Sequence, residues 1–165
     1  RPVEARAVSM ATRATRALDA ARIGYRLHPY DYEADAAGGK GVHAAHALGV
    51  PPGRVLKTLM AWIDARAACA VIPSDRQLLP KALAAAGGGK AARMMEVAEA
   101  ERRSGYKVGG ISPFGQQRPV ATWIELDAMA ESSVFINAGQ RGLLLELDPA
   151  DALRVLAAQT AAISR

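Results

Sequence analysis

The segment from Val55 to Ile63 constrains the fold most, because it is apolar on both faces of a strand. One face carries Val55, Leu59 and Ile63, and the other includes Leu56 and Trp62. A strand with one wet face alternates apolar and polar residues, whereas a strand covered on both sides stays apolar throughout. We therefore expect this strand to be covered on both sides.

Lys57 interrupts this apolar strand and is the most informative residue of the chain. Lysine is rarely buried completely unless it has a partner. Two interpretations stay open on the pattern alone. Lys57 either lies near the strand end with its ammonium group reaching water, or it is a functional cation.

The remaining elements follow from periodicity and from glycine and proline breakers. Helices are predicted over residues 4–22, 41–48, 80–86, 96–103 and 149–163, and strands over 25–30, 54–64, 66–73, 120–126, 133–137 and 142–147. Asp148 and Pro149 are typical of the start of the last helix. Helices and strands without regular alternation predict an α+β fold around a mixed sheet.

A length of 165 residues predicts one domain over residues 1–165. The single cysteine, Cys69, excludes an internal disulfide framework and is typical of a reducing compartment. No apolar run approaches the ~20 residues that a membrane span needs. We therefore expect a cytoplasmic protein without a membrane partner. The net charge of +5 allows a polyanionic partner without requiring one.

Two glycine-containing segments are further candidates for a site. Gly109 and Gly110 would let the backbone approach a ligand closely, and Ser112 adds a hydroxyl group. The spacing of these glycines fits neither a dinucleotide fingerprint nor a P-loop. The alternative to a ligand-binding loop is a tight turn that binds no ligand. The segment with Gly139 and Arg141 is either a hairpin loop or a loop that wraps an ester or a phosphate.

Other reactive side chains are weaker candidates. His28, His43 and His46 do not form a convincing metal set, so we expect no metal and no cofactor. Cys69 lies in an apolar stretch and is expected to be a buried apolar residue rather than a nucleophile. No Ser–His–acid grouping is evident. If the protein is a hydrolase, the nucleophile then has to come from water or from the substrate.

Three segments together resemble the YbaK/EbsC family, relatives of the editing domain inserted in bacterial prolyl-tRNA synthetases. They are Arg-Val-Leu-Lys-Thr-Leu at 54–59, the glycine-rich stretch at 105–116 with Gly-Gly-Ile-Ser-Pro, and Gly-Gln-Arg-Gly-Leu at 139–143. Their order and spacing extend the likeness over nearly the whole chain. The resemblance implies a partly barrel-like mixed sheet flanked by helices, and a free-standing deacylase that clears mischarged tRNA(Pro).

The resemblance also implies roles for individual residues. Lys57 would orient the terminal adenosine or the aminoacyl ester and stabilise developing negative charge. The backbone of Gly109 and Gly110 would line the aminoacyl pocket, and Tyr30 would lie near the substrate. The other implied substrate-binding positions are Thr58, Ile111, Ser112, Asn137, Gly139 and Arg141, the last two of them beside the terminal ribose.

Relatives with Gly-Gly-Ile-Ser-Pro resemble Cys-tRNA(Pro) deacylases. In these, the thiol of the substrate attacks the carbonyl of its own ester, and the aminoacyl group leaves the tRNA as a cyclic thiolactone. Relatives often have Ser at the position of Asn137 and Asp at that of Leu144, so Ala-tRNA(Pro) or another misacylated tRNA is an alternative substrate. The implied partners are tRNA(Pro) and a prolyl-tRNA synthetase. A non-catalytic module that binds tRNA or a synthetase, and a small-molecule binder, are the competing hypotheses.

Overall fold

The computed structural model describes residues 11–165, and these contain five α-helices and eight strands. The helices are α1 (Arg13–Ala20), α2 (Lys40–Leu48), α3 (Pro80–Ala86), α4 (Val97–Ser104) and α5 (Pro149–Val155). The strands are β1 (Arg26–Pro29), β2 (Val55–Ile63), β3 (Arg66–Pro73), β4 (Ala92–Met94), β5 (Ala121–Glu125), β6 (Val134–Gln140), β7 (Leu143–Leu147) and β8 (Gln159–Ala161). Short 3-10 helices occupy Pro52–Arg54 and Leu126–Ala130. The predicted α+β class is confirmed.

All eight strands belong to one mixed sheet with β2 near its centre. The order is β1-β7-β6-β2-β3-β5-β8, and β4 also pairs with β2. The β2–β6, β3–β5 and β5–β8 pairs are parallel, and the others are antiparallel. The central place of β2 agrees with its apolar residues on both faces.

Both faces of the sheet are covered around β2, which confirms that this strand is covered on both sides. On one face, Met60 of β2 packs with Leu18 of α1 and Phe114 of the loop after α4. On the other face, Leu83 of α3 covers Ile63, while α2 covers the start of β2 and its neighbour β6. In the part of the chain that is described, no helix has both the length and the apolar character needed to cross a membrane.

The first helix differs from its prediction at Thr12. Residues 4–10 of the predicted helix lie outside the described residues. Thr12 has an extended backbone, its Oγ1 accepts a hydrogen bond from the Thr15 N–H, and the Thr12 N–H donates to Thr15 Oγ1. This reciprocal capping box starts a helix at Arg13. The prediction of one uninterrupted helix over residues 4–22 is therefore wrong.

The last predicted helix, residues 149–163, is wrong over its second half. Helix α5 ends at Val155, Ala157 has a left-handed φ of 50°, and the chain then forms β8 beside β5. The residues after β8 bind Glu125 and do not continue a helix. The Glu125 side chain is 1% exposed and accepts hydrogen bonds from the Ile163 N–H (3.0 Å) and the Ser164 hydroxyl (2.6 Å). Pairing with this buried group outweighs the helix propensity of the alanines.

Strand β4, which pairs with the end of β2, was not predicted.

Candidate functional site

A cleft opens where the pairing of β2 with β6 stops. The described pairing covers Val55 opposite Phe135 and Leu56 opposite Ile136. Next to it lies a cleft of about 300 Å³. The sheet side of its wall comes from β2, Asn137 and Leu144. The remainder comes from the loop before α2, the start of α2, Ser74 after β3 and the loop after α4. The cleft is lined by Tyr30, Gly38, Gly39, Lys40, Gly41, Ala44, Val55, Leu56, Lys57, Thr58, Leu59, Ser74, Val108, Gly109, Ile111, Asn137 and Leu144.

Lys57 lines this cleft as a half-buried side chain. Within residues 11–165 its ammonium group has no hydrogen bond and no ion pair, and Asp75 acts on it only through the longer-range field. Burial lowers the pKa of Lys57, and the charge of Asp75 opposes that shift. Among these residues Lys57 is thus partly desolvated, has no hydrogen-bond or ion-pair partner and is open to a ligand.

Thr58 provides a second uncommitted polar group in the cleft wall. Its Oγ1 is buried and is the one such side-chain atom without a hydrogen-bond partner in the described part of the chain. A buried hydroxyl left unpaired costs about 1–3 kcal/mol. A ligand atom or an ordered water that bonds to Thr58 would recover part of that cost.

Asn137 joins the β6–β7 hairpin to the glycine-rich loop. Its Oδ1 accepts hydrogen bonds from the N–H groups of Gly139 (2.6 Å) and Gln140 (3.1 Å), and its Nδ2 donates to the Gly109 carbonyl (3.1 Å). The amide therefore fixes the relative positions of two loops at the cleft. The sequence indicated Asn137 as a contact residue but gave no sign of this bridging position.

The two adjacent glycines pack against the protein itself. Gly109 lines the cleft with a left-handed φ of 89°, and a Cβ there would overlap the Tyr32 hydroxyl oxygen. A Cβ on Gly110 would come within 3.0 Å of the Arg141 backbone nitrogen. A side chain at Gly109 would push against Tyr32, and one at Gly110 would push the loop away from the hairpin, so either would change the shape of the cleft.

Four of the predicted site residues lie outside the lining of the cleft. Gly110 is buried against the backbone of Gln140 and Arg141. Ser112 is fully buried, and its Oγ accepts a hydrogen bond from the Phe114 N–H (3.2 Å). Gly139 packs against the Tyr106 ring. Arg141 donates from Nε to the Val108 carbonyl (2.9 Å) and stacks on Tyr32 with its guanidinium carbon 5.6 Å from the ring centre.

The structure brings the other six predicted residues together: Tyr30, Lys57, Thr58, Gly109, Ile111 and Asn137. Burial raises the pKa of the Tyr30 hydroxyl, so this group is protonated at neutral pH. Sequence reasoning missed the loop with Gly38 and Gly39 before α2, although two adjacent glycines before a helix were a usable signal.

Cys69 is buried, as predicted, and burial raises its thiol pKa to about 12. A thiol in that state supplies no thiolate nucleophile at neutral pH. The described residues contain no group of three or more His, Cys, Asp or Glu side chains placed to hold a metal ion.

Replacing Gly109 by alanine is expected to lower the free energy of unfolding by about 1–2 kcal/mol, because a left-handed backbone strains a residue with a Cβ. Urea unfolding measures this. Gly53→Ala is the matched control, since a Cβ there has no atom within 4 Å. Equal stability of the two variants would show that the Gly109 loop adapts to a side chain.

Comparisons with known proteins agree on one family. The family model for the aminoacyl-tRNA editing domain matches residues 40–155. A protein of Enterococcus faecalis, described as a candidate Cys-tRNA(Pro)/Cys-tRNA(Cys) deacylase EbsC, is 31% identical over 154 residues, which is 93% of each chain.

Two solved structures share the fold. The protein APE2540 has a TM-score of 0.83 at 22% identity, covering 93% of this chain and 100% of its own. A candidate trans-editing enzyme for prolyl-tRNA synthetase has a TM-score of 0.81 at 22% identity, covering 95% of this chain and 99% of its own. At 22% sequence identity, these two matches show a shared fold and nothing more.

Proposed function

The chain belongs to the aminoacyl-tRNA editing domain family, as its resemblance to the YbaK/EbsC proteins predicted, and we propose that it deacylates Cys-tRNA(Pro). The proposal extends to the chemistry, in which the substrate thiol cleaves its own ester. One observation carries it: within residues 11–165, a half-buried lysine without a hydrogen-bond or ion-pair partner lines a cleft that contains no activated nucleophile.

The hydroxyl groups of the cleft support a nucleophile from the substrate. Ser74 donates its hydroxyl hydrogen to the Pro52 carbonyl (2.7 Å), and no described histidine or carboxylate accepts from it. The Thr58 hydroxyl has no base beside it. Serine and threonine need an adjacent base to act as nucleophiles, so neither is equipped to attack an ester.

In the proposed reaction the cysteinyl sulfur attacks the carbonyl carbon of its own ester. A C–S bond forms, the bond from the carbonyl carbon to the ribose oxygen breaks, and the thiol proton ends on that ribose oxygen. The products are a thiolactone and tRNA with a free terminal hydroxyl. Lys57 would stabilise negative charge on the sulfur and on the carbonyl oxygen as the bond forms. The Asn137 bridge to the Gly109 carbonyl would keep the ester against Lys57.

The decisive experiment compares Cys-tRNA(Pro), Ala-tRNA(Pro) and Pro-tRNA(Pro), each labelled on the amino acid, with S-methylcysteinyl-tRNA(Pro) as the matched control. We expect loss of the Cys ester alone. Loss of the S-methyl ester at the same rate would overturn the thiol mechanism, and loss of the Ala ester in place of the Cys ester would overturn the substrate. Survival of every ester would favour a non-catalytic tRNA-binding module.

The tRNA body is the proposed macromolecular partner, and its binding should depend on salt. Neutralising phosphates releases counterions, so affinity falls steeply as the salt concentration rises. We expect the affinity for tRNA(Pro) to fall by at least about tenfold between 50 and 200 mM salt, in line with a few phosphate contacts. Filter binding measures this, with an aminoacyl-adenosine fragment as control. A salt-independent affinity for tRNA would contradict the proposal.

A prolyl-tRNA synthetase is the proposed protein partner. If the two proteins work together, adding the synthetase should raise the rate of Cys-tRNA(Pro) clearance at limiting enzyme. An unchanged rate would indicate that the deacylase captures free mischarged tRNA by itself.

A further inference from the structure

The charged side chains that line the cleft are both cations. Lys57 and Lys40 are among the lining residues, and no aspartate or glutamate of residues 11–165 is among them. The carboxylate that acts on Lys57, Asp75, is itself outside the lining. Apolar groups, with Val55, Leu59 and Leu144 among them, form much of the remaining wall.

Two glutamates on the neighbouring elements lie beside histidines outside the cleft lining. Glu33 lies 3.9 Å from Nδ1 of His43, on α2. Glu146 of β7 lies 2.9 Å from Nε2 of His28 and accepts from the Ser133 hydroxyl (2.5 Å). Arg141, at the tip of the β6–β7 hairpin, adds a further positive charge near the glycine-rich loop. The charged side chains of the lining are therefore cationic, while Asp31 and Asp35 of the loop before α2 and Asp75 beside Ser74 lie outside it.

An aminoacyl ester brings a titratable group into this environment. An α-amino group has an ordinary pKa of about 7.7–8.0, so near neutral pH much of it is a cation. A like charge nearby disfavours the charged form. No carboxylate of the cleft wall compensates for the repulsion from Lys57 and Lys40.

We propose that the cleft binds the aminoacyl group with an uncharged α-nitrogen, and therefore accepts N-acylated aminoacyl esters at least as well as esters with a free ammonium group. This inference rests on the proposed function, since it concerns the substrate class of the same cleft. A volume of about 300 Å³ and apolar walls suit the few additional atoms of a small acyl group. The substrate thiol is left free by N-acylation, so the cleavage chemistry is retained.

The test uses 3′-deoxy-3′-(seryl)amidoadenosine and its N-acetyl derivative. Serine has the size of cysteine without a titratable thiol, and the amide is not cleaved. Calorimetry at pH 6.5, 7.5 and 8.5 gives the affinity of each ligand. In the ratio of the two affinities, any effect of Lys57 titration that is common to both ligands cancels. At pH 6.5 we expect the acetylated ligand to bind about tenfold more tightly, with the difference shrinking by pH 8.5 as the free amine loses its proton.

A carboxylate placed in the wall should reverse this preference. Leu144→Asp is expected to bind the free-amine ligand more tightly than the acetylated one at pH 6.5. Lys107→Ala is the control, because its side chain is 80% exposed and outside the cleft lining. Thermal unfolding shows whether the Leu144→Asp protein is folded. If it is not, the affinities of the wild-type protein for the two ligands still test the inference.

Two results would overturn the inference: tighter binding of the free-amine ligand at pH 6.5, or a ratio of affinities that does not change with pH. Failure of both ligands to bind would overturn it as well. Parallel measurement of Cys-tRNA(Pro) cleavage separates this outcome from failure of the proposed function. A protein that cleaves the ester and prefers the free ammonium ligand retains its function and loses only this inference.

Discussion

Replacing Lys57 by alanine is expected to slow the deacylation of Cys-tRNA(Pro) by at least about a hundredfold, the usual cost of removing one group that stabilises developing negative charge. Its ammonium group has no hydrogen bond or ion pair in residues 11–165, so its removal breaks no polar contact among them. The melting temperature should therefore stay nearly unchanged. Single-turnover assays with saturating enzyme measure the chemical step separately from tRNA binding.

Two further variants make this result specific. Lys90→Ala removes a cation outside the cleft and should keep the wild-type rate. Lys57→Arg keeps the charge with a larger, planar head group, and should regain only part of the rate. If Lys57→Ala cleaves the ester as fast as the wild type, the lysine is a strand-end residue that reaches water, and the cleft operates without it.

Glu125→Ala is expected to lower the free energy of unfolding by about 3 kcal/mol, because it strands buried donors that a charged acceptor now satisfies. The carboxylate, 1% exposed, accepts from the N–H groups of Ile163 and Asp127 and from the Ser164 hydroxyl, and Arg76 lies 3.7 Å away. Its loss would detach β8 and the following residues from β5. Urea unfolding at neutral pH gives the change in free energy.

Asp127→Ala is the matched control for Glu125→Ala. Asp127 lies 2.9 Å from the same Arg76, but its side chain is 65% exposed. An exposed ion pair contributes about 0–1 kcal/mol, so this variant should stay near wild-type stability. Similar losses in the two variants would show that Glu125 is no more important to the fold than a surface partner of Arg76.

The sequence predicted the centre of the sheet well because the signals there are local. Apolar residues on both faces of β2 and a turn at Asp64 identified the β2–β3 hairpin, and the bounds of β3 match the prediction. The same pattern made Lys57 conspicuous, since a lysine in an apolar strand needs an explanation. Its place in the cleft came from the structure, because the parting of β2 from β6 is not encoded in either strand alone.

The errors come from long-range partners. The alanines after Val155 favour a helix by propensity, yet a glutamate nearly forty residues earlier binds the Ile163 backbone and holds the segment as a strand. Asn137 shows the same limit within the site. Its bridge to Gly109 joins loops far apart in sequence, and an asparagine beside glycines predicts only a turn.

The pairing of β1 with β7 dictates the order in which the chain can acquire its structure during translation. Leu143 leaves the ribosome more than a hundred residues after Pro29, its partner in the sheet. The docking of helix α1 waits equally long, since the Thr12 hydroxyl at its cap donates to the Ala138 carbonyl (2.6 Å). Contacts so distant in sequence form slowly. The amino-terminal elements described here must therefore stay unpaired through most of synthesis, a stage at which chaperones can bind them and proteases can cut them.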